Sequence, residues 1–274
     1  MGLPFDRGYV DEPFATLVAA YPGAETYPAG DFRLEWGPIF HRGRLDGSAR
    51  VLVIGQDPGA HEAIARRILV GEAGQRLQGF LARLGILHSY VLLNAFVYSV
   101  YGQRGGERHR ADPAIAAYRN RWLDAFLVDN GIEAVVALGG LAESAFAAWR
   151  ATPSGQASRL DARRIHHPTY PEGASRSGRV SRADAMREML TDWNQALDEL
   201  RPMIAHPDVP PPADHYGNTL VPEDLAAIPA EDLPPGLPPW MRSLDAWASR
   251  AGSTVDEKRA TIQVRVPRNA RPWT

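Results

Sequence analysis

Three short runs of unbroken apolar residues stand out along the first half of the chain: Val51–Gly55 (VLVIG), Val91–Ala95 (VLLNA) and Val135–Leu138 (VVAL). Their continuity and β-branched content are what strands covered on both faces of a parallel sheet require. Ile165–His167 reads as a short fourth strand. Between the runs the apolar positions change period. Ile64, Ile68, Leu77, Phe80, Leu81 and Leu84 fall at helical spacing from about Glu62 to Leu84, interrupted near Val70-Gly71. Further helical patterns cover Ala114–Asn130, Leu141–Trp149 and Arg182–Leu200. Strands alternating with helices predict an α/β protein: three α/β/α layers around a central, mainly parallel four-stranded sheet with right-handed crossovers.

From about Arg201 the pattern gives way. Pro207–Pro212 and Leu233–Pro239 are too rich in proline for a helix or an interior strand. Thr261–Val266 (TIQVRV) alternates like a strand that adds to a sheet edge. Residues 1–200 are therefore expected to form the main domain, with 201–274 an extension wrapping it.

In open parallel sheets the loops at the strand carboxyl ends build the site. Polar residues collect there in this chain. Asp57 follows the first strand within Gly-Gln-Asp-Pro-Gly, and Asn94 ends the second. Gly139-Gly140 follows the third, and His167 follows the fourth within His-His-Pro-Thr-Tyr-Pro. Each has a plainer reading on its own. Aspartate before proline is a common turn residue, asparagine can end a strand, histidine can sit hydrogen-bonded in a core, and Gly-Gly can simply turn the chain.

Composition narrows the chemistry. The chain has no cysteine, which excludes disulfides, thiolate nucleophiles and cysteine-held zinc or iron–sulfur clusters. The net charge of −2 gives no global footprint of a nucleic-acid binder, although a local basic groove needs none. No P-loop, no GxGxxG after the first strand and no dense carboxylate–histidine cluster argues for a nucleotide-binding or metal-dependent phosphohydrolase. No metal or cofactor is expected. With no apolar run of membrane-spanning length and no leader-like amino terminus, a soluble cytoplasmic protein is expected, working without a membrane partner.

Taken together and in order, these segments resemble the uracil-DNA glycosylase superfamily from about Glu35 to Leu197. Val51–Gly59 with His61 resembles its first motif, which reads Gly-Gln-Asp-Pro-Tyr-His in the prototype branch. VLLNAFVYSV resembles its uracil-reading strand, VVALGGLAESAFAAW its phosphate loop and following helix, and His167-Pro168 its second motif. The resemblance implies roles. Asp57 would stabilise the developing sugar cation and orient water, and His167 would donate to the uracil carbonyl oxygen as negative charge builds there. Gly55, Gln56 and Asn94 would hold the edge of the flipped base. Gly139 and Gly140, at a helix amino terminus, would meet a DNA phosphate. In the loop after His167, Tyr170 is a candidate wedge into the base stack, and Arg176, Arg179 and Arg182 are candidate phosphate contacts, a solvated arginine loop being the alternative. The implied partners are uracil-containing DNA, single- or double-stranded, and free uracil, handled by a monomer.

The chain also departs from the family pattern. Gly59 stands where the prototype branch has the tyrosine that blocks the thymine methyl. Glycine there, like the Gly71–Gln75 stretch (GEAGQ), resembles the iron–sulfur branches, whose four cysteines are missing here. The phenylalanine that stacks on the flipped base aligns near Leu69, with Phe96, Tyr98 or an aromatic of the lead-in as alternatives. Arg163–His166 (RRIH) resembles the tail of a loop that traps one branch covalently on DNA. That loop lies apart from the second motif there, whereas here the string abuts it and is read as coincidence. The sole lysine, Lys258, lies far along the chain from these motifs, so water rather than an amine is the expected nucleophile and the strand stays intact. A non-catalytic or covalently trapping damage binder of the same fold is the alternative reading.

Overall fold

The computed structural model describes residues 9–101, 106–128, 131–176, 178, 180–243 and 246–271. Five strands form the central sheet: β1 (His41–Gly43), β2 (Val51–Gly55), β3 (Tyr90–Asn94), β4 (Ala134–Leu138) and β5 (Ala162–Ile165), in the spatial order β1-β3-β2-β4-β5. The last four are mutually parallel, and β1 is antiparallel to β3. The four expected strands are present. The added edge strand β1 has no apolar run to announce it, because it carries His41 and Arg42, both fully buried. The fourth strand is displaced toward the amino terminus: of the expected 165–167 only Ile165 belongs to it, because Asp192 takes the amide and Nδ1 of His166 and turns the chain out of the sheet.

Alternate strand residues face opposite helical layers, as the period of two demands. Leu52, Ile54, Val91, Leu93, Val135 and Ala137 pack with Trp122 and Phe126 of α4 (Pro113–Leu127) and Phe146 and Trp149 of α5 (Gly140–Arg150). Here α1 (Phe14–Ala19) adds Phe14 and Leu17. Val51, Val53, Leu92 and Val136 face Leu77 and Phe80 of α3 (Glu72–Arg83), and Met189 and Trp193 of α8 (Arg182–Leu200). The result is the three-layer α/β/α architecture. The interruption at Val70-Gly71 is real: α2 (Ala60–Ala65) stops at Arg66, which is left-handed (φ 58°), and α3 starts after Gly71. Two short helices, α6 (Pro153–Ala157) and α7 (Tyr170–Ser175), carry no amphipathic signal and have a proline in their first two positions.

The segment after Leu200 binds the body through polar anchors as well as apolar ones. Asp232 accepts from Arg42 (2.5 Å) and from the Tyr90 hydroxyl, all three buried. Asp208 accepts the amides of Leu87, His88 and Ser89. Ile228, Met241, Trp247 and Ala248 form a small core with Ala65 and Val70. The alternating segment near Thr261 does not join the main sheet. Its β7 (Ile262–Val264) pairs antiparallel with β6 (Ala248–Arg250), with α9 (Val255–Ala260) between them. Among the described residues no helix is long and apolar enough to cross a membrane.

Candidate active site

The parallel register fixes the site. Gly55 stands opposite Asn94 at the carboxyl ends of β2 and β3. A Cβ at Gly55 would overlap Oδ1 of Asn94, so glycine is what lets the carboxamide lie over this strand end. Asn94 is 2% exposed, and no donor among the described residues reaches its Oδ1. A buried polar atom without a partner costs roughly 1–3 kcal/mol, and this acceptor lies at the strand end where the loops of β2 and β3 meet, free to take a donor from outside the chain. Beyond it the Gly55 carbonyl accepts from Ala95 (3.0 Å) and the Gln56 carbonyl from Phe96 (2.9 Å), which locks the two loops together.

Leu69 packs against Gly55 and so lies beside the Asn94 carboxamide. It holds φ at 50°, an outlying conformation for a leucine. The aromatic alternatives are otherwise engaged. Phe96 is buried edge-on to Phe32, and Tyr98 is buried against Tyr27 with its hydroxyl on the Pro22 carbonyl. The apolar side chain next to the carboxamide is therefore that of Leu69.

Asp57 sits one turn beyond, with Oδ2 accepting the Val100 amide at 2.9 Å. Burial pushes its carboxyl up to about 6, against the pull of the Val100 amide, the Gln56 side chain and the charge of Arg250. The loop after it is braced by Glu62, whose two oxygens accept the amides of Gly59 (2.9 Å) and Val70 (3.0 Å). A Cβ at Gly59 would stand 2.8 Å from Oε2 of Glu62, so this brace and a side chain at position 59 compete for one space.

His167 lies at the end of β5, with its Cβ next to Gly139. The Thr169 amide donates to its Nδ1 (3.2 Å), and the Thr169 hydroxyl lies 2.9 Å from the same nitrogen. A ring nitrogen that accepts from a backbone N–H carries no proton, so the neutral ring holds its proton on Nε2. Burial, with the nearby positive charge of Arg76, lowers His167 to about 4 and keeps it neutral near pH 7. Arg76 also pins the loop, donating to the Pro168 carbonyl (2.5 Å) and to both oxygens of Glu172. Burial opposes ionisation of Glu172, but Arg76 and Arg182 hold its carboxyl down at about 2. Arg76 was not among the expected site residues. Its signal was a charge four residues before Phe80, on the apolar stripe of α3, where only a partnered arginine fits.

The remaining expected residues divide. The Gly139 amide donates to Ile165 (2.9 Å), so the open amides begin at Gly140, the first residue of α5, where intrahelical partners are lacking. The Arg110 guanidinium lies beside Gly140 and donates to Ser144 on that helix, an anion-favouring group absent from the expected set. Tyr170 is half-buried with its hydroxyl on Glu188 (2.7 Å) and its ring against His166, so wedging into DNA would break these contacts. Arg182 is committed to Glu172, Arg176 is exposed, and Arg179 lies outside the described residues. His166 is held by Asp192. Lys258, distant in sequence, lies in α9, and its carbonyl and that of Arg259 accept long bonds from Arg33 (3.5 and 3.4 Å). The fold thus brings it nearer the site than its sequence position implies, although its side chain is exposed.

The Asp57 carboxyl, the neutral His167 imidazole and the Asn94 carboxamide thus come together at one end of the parallel sheet. The profile of the uracil DNA glycosylase superfamily matches residues 42–194, over half the chain and all of these elements, and the chain belongs to that superfamily. No curated protein matches the sequence.

Proposed function

We propose that this protein is a monofunctional uracil-DNA glycosylase that hydrolyses the N-glycosidic bond of a flipped-out deoxyuridine, releasing uracil and leaving an abasic site for base excision repair. The observation that carries this reading is the unpartnered Oδ1 of Asn94. An acceptor there takes the N3–H of uracil, while the amide end of the same group donates to O4; cytosine, with no proton on N3, offers the wrong pattern.

The other groups fit the same step. As the bond lengthens, the sugar gains positive character and the uracil negative. Ionised Asp57 stabilises the first and orients water, and the Nε2–H of neutral His167 stabilises the second. Leu69 supplies an apolar face for the base. The amides from Gly140 onward, with Arg110, receive a backbone phosphate. The protein acts as a monomer in the cytoplasm.

Asp57→Asn tests the assignment. It removes most excision while uracil-containing DNA still binds. Unaltered turnover would remove Asp57 from the mechanism; a wild-type protein that binds uracil-containing DNA without excising would favour the damage-binder reading.

A further inference from the structure

The terminal part of the chain, beyond the family match, carries a charge division of its own. Residues 201–246 have seven acidic and two basic side chains, whereas residues 247–271 have six basic and two acidic. Asp208, Asp224 and Asp232 of the acidic stretch tie it to the body through Leu87–Ser89, Arg83 and Arg42. One acid of the basic stretch, Glu257, is engaged in capping α9 through Ser253 and Thr254.

This basic stretch is held against the carboxylate loop. The Ala248 amide donates to Nε2 of His61 (3.1 Å), and Trp247 packs edge-on to the same ring at 4.7 Å. His61 lies on α2, which opens directly after Gly59. On the other side, Tyr101 immediately follows Val100, the residue whose amide holds Asp57, and both Arg33 and Arg259 stack on its ring at 4.2 Å. Between these anchors β6 ends in Arg250. Arg250 is exposed, no acceptor among the described residues bonds it, and it stands close enough for its charge to act on Asp57 and Arg33. Three cations thus surround one side of the carboxylate loop, in a protein of net charge −2.

Glu35 offsets the charge of Arg33, which is buried, whereas Arg250 is exposed and holds no bonded acceptor among the described residues, so its guanidinium is open to a nucleic-acid phosphate. We propose that residues 247–271 form a wall of the DNA interface, with Arg250 contacting a backbone phosphate on the Asp57 side of the flipped nucleotide. This rests on the glycosylase reading above. It gives the extension a function: its acidic half fastens it to the body, and its basic half widens the phosphate track beyond the Gly140 end of the sheet.

The test is the salt dependence of binding to a duplex carrying a non-hydrolysable deoxyuridine analogue, followed by fluorescence anisotropy. Arg250→Gln is compared with wild type, with Arg250→Lys, and with Arg159→Gln, an exposed arginine at the opposite sheet edge. Loss of one phosphate contact lowers the slope of log K against log salt by about 1 and weakens binding about five- to tenfold near 0.1 M salt. Arg250→Lys keeps the slope, and Arg159→Gln leaves slope and affinity unchanged. Wild-type slope and affinity in Arg250→Gln overturn the interface proposal, as does an equal loss in Arg159→Gln. Uracil excision by wild type, measured alongside, separates that failure from failure of the glycosylase reading.

Discussion

The backbone amide of Thr169 donates to Nδ1 of His167, which fixes the imidazole as a neutral ring with its proton on Nε2. His167 is lowered to about 4 and Asp57 raised to about 6, so the productive pair of states, His167 neutral and Asp57 ionised, fills as pH rises through about 6. We expect kcat/KM to climb with pH along a single-proton limb near 6 and to level above it. A profile between pH 4.5 and 8 checks this. Activity undiminished at pH 4.5, or falling between 6 and 7.5, would contradict the assigned states.

Asp57 carries a stability cost opposite in sign to its use. The folded protein holds the Asp57 proton up to about 6, whereas the unfolded chain releases it near 4. Between those values the folded state binds more protons, so stability is lost as pH rises through the window. Asp57→Asn should therefore stabilise the fold at pH 7.5 by roughly 1–2 kcal/mol while removing most excision. Denaturant unfolding of both proteins at pH 7.5 reads this directly; a variant less stable than wild type would argue against burial as the cause of the raised pKa.

Asn94→Asp replaces a donor–acceptor pair with two acceptors. The carboxylate repels uracil O4 while accepting from the cytosine amino group. Excision of uracil should fall by about 10²-fold and discrimination against cytosine should weaken. Single-turnover kinetics on matched uracil and cytosine oligonucleotides provide the measurement; unchanged rates on both would remove Asn94 from the pocket.

Asp232→Ala leaves the guanidinium of Arg42 buried without its carboxylate. The expected destabilisation is about 3–5 kcal/mol. In the double variant Arg42→Met with Asp232→Leu, which removes both charges, stability should largely return. If Asp232→Ala unfolds at the wild-type denaturant midpoint, this clasp does not hold the extension.

The motif residues were legible in sequence because each follows an apolar strand that announces itself: Asp57 after β2, Asn94 ending β3, Gly139-Gly140 after β4, His167 after β5. Their neighbours were less so. Besides Glu72 on its own helix, Arg76 is partnered by Pro168 and Glu172 some ninety residues away, and nothing local to α3 names those two. Strand β1 was hidden because its buried positions are polar, with partners distant in sequence: Tyr9 for His41, and Ile68, Gln78 and Asp232 for Arg42. The β6–β7 ribbon looked like a sheet edge because alternation reports that a strand pairs, not with what. Leu69, reached from sequence only as a departure from an aromatic position, becomes specific once its contact with Gly55 and its left-handed backbone are seen.

The central claim is tested most directly by incubating the protein with a labelled single-stranded and duplex oligonucleotide holding one uracil, with EDTA present, and adding alkali afterwards. The account predicts cleavage at the uracil position only after alkali and only in uracil-containing strands, with no borohydride-trapped adduct. Intact strands after alkali would contradict uracil excision, and cleavage before alkali with a trapped adduct at Lys258 would contradict water as the nucleophile.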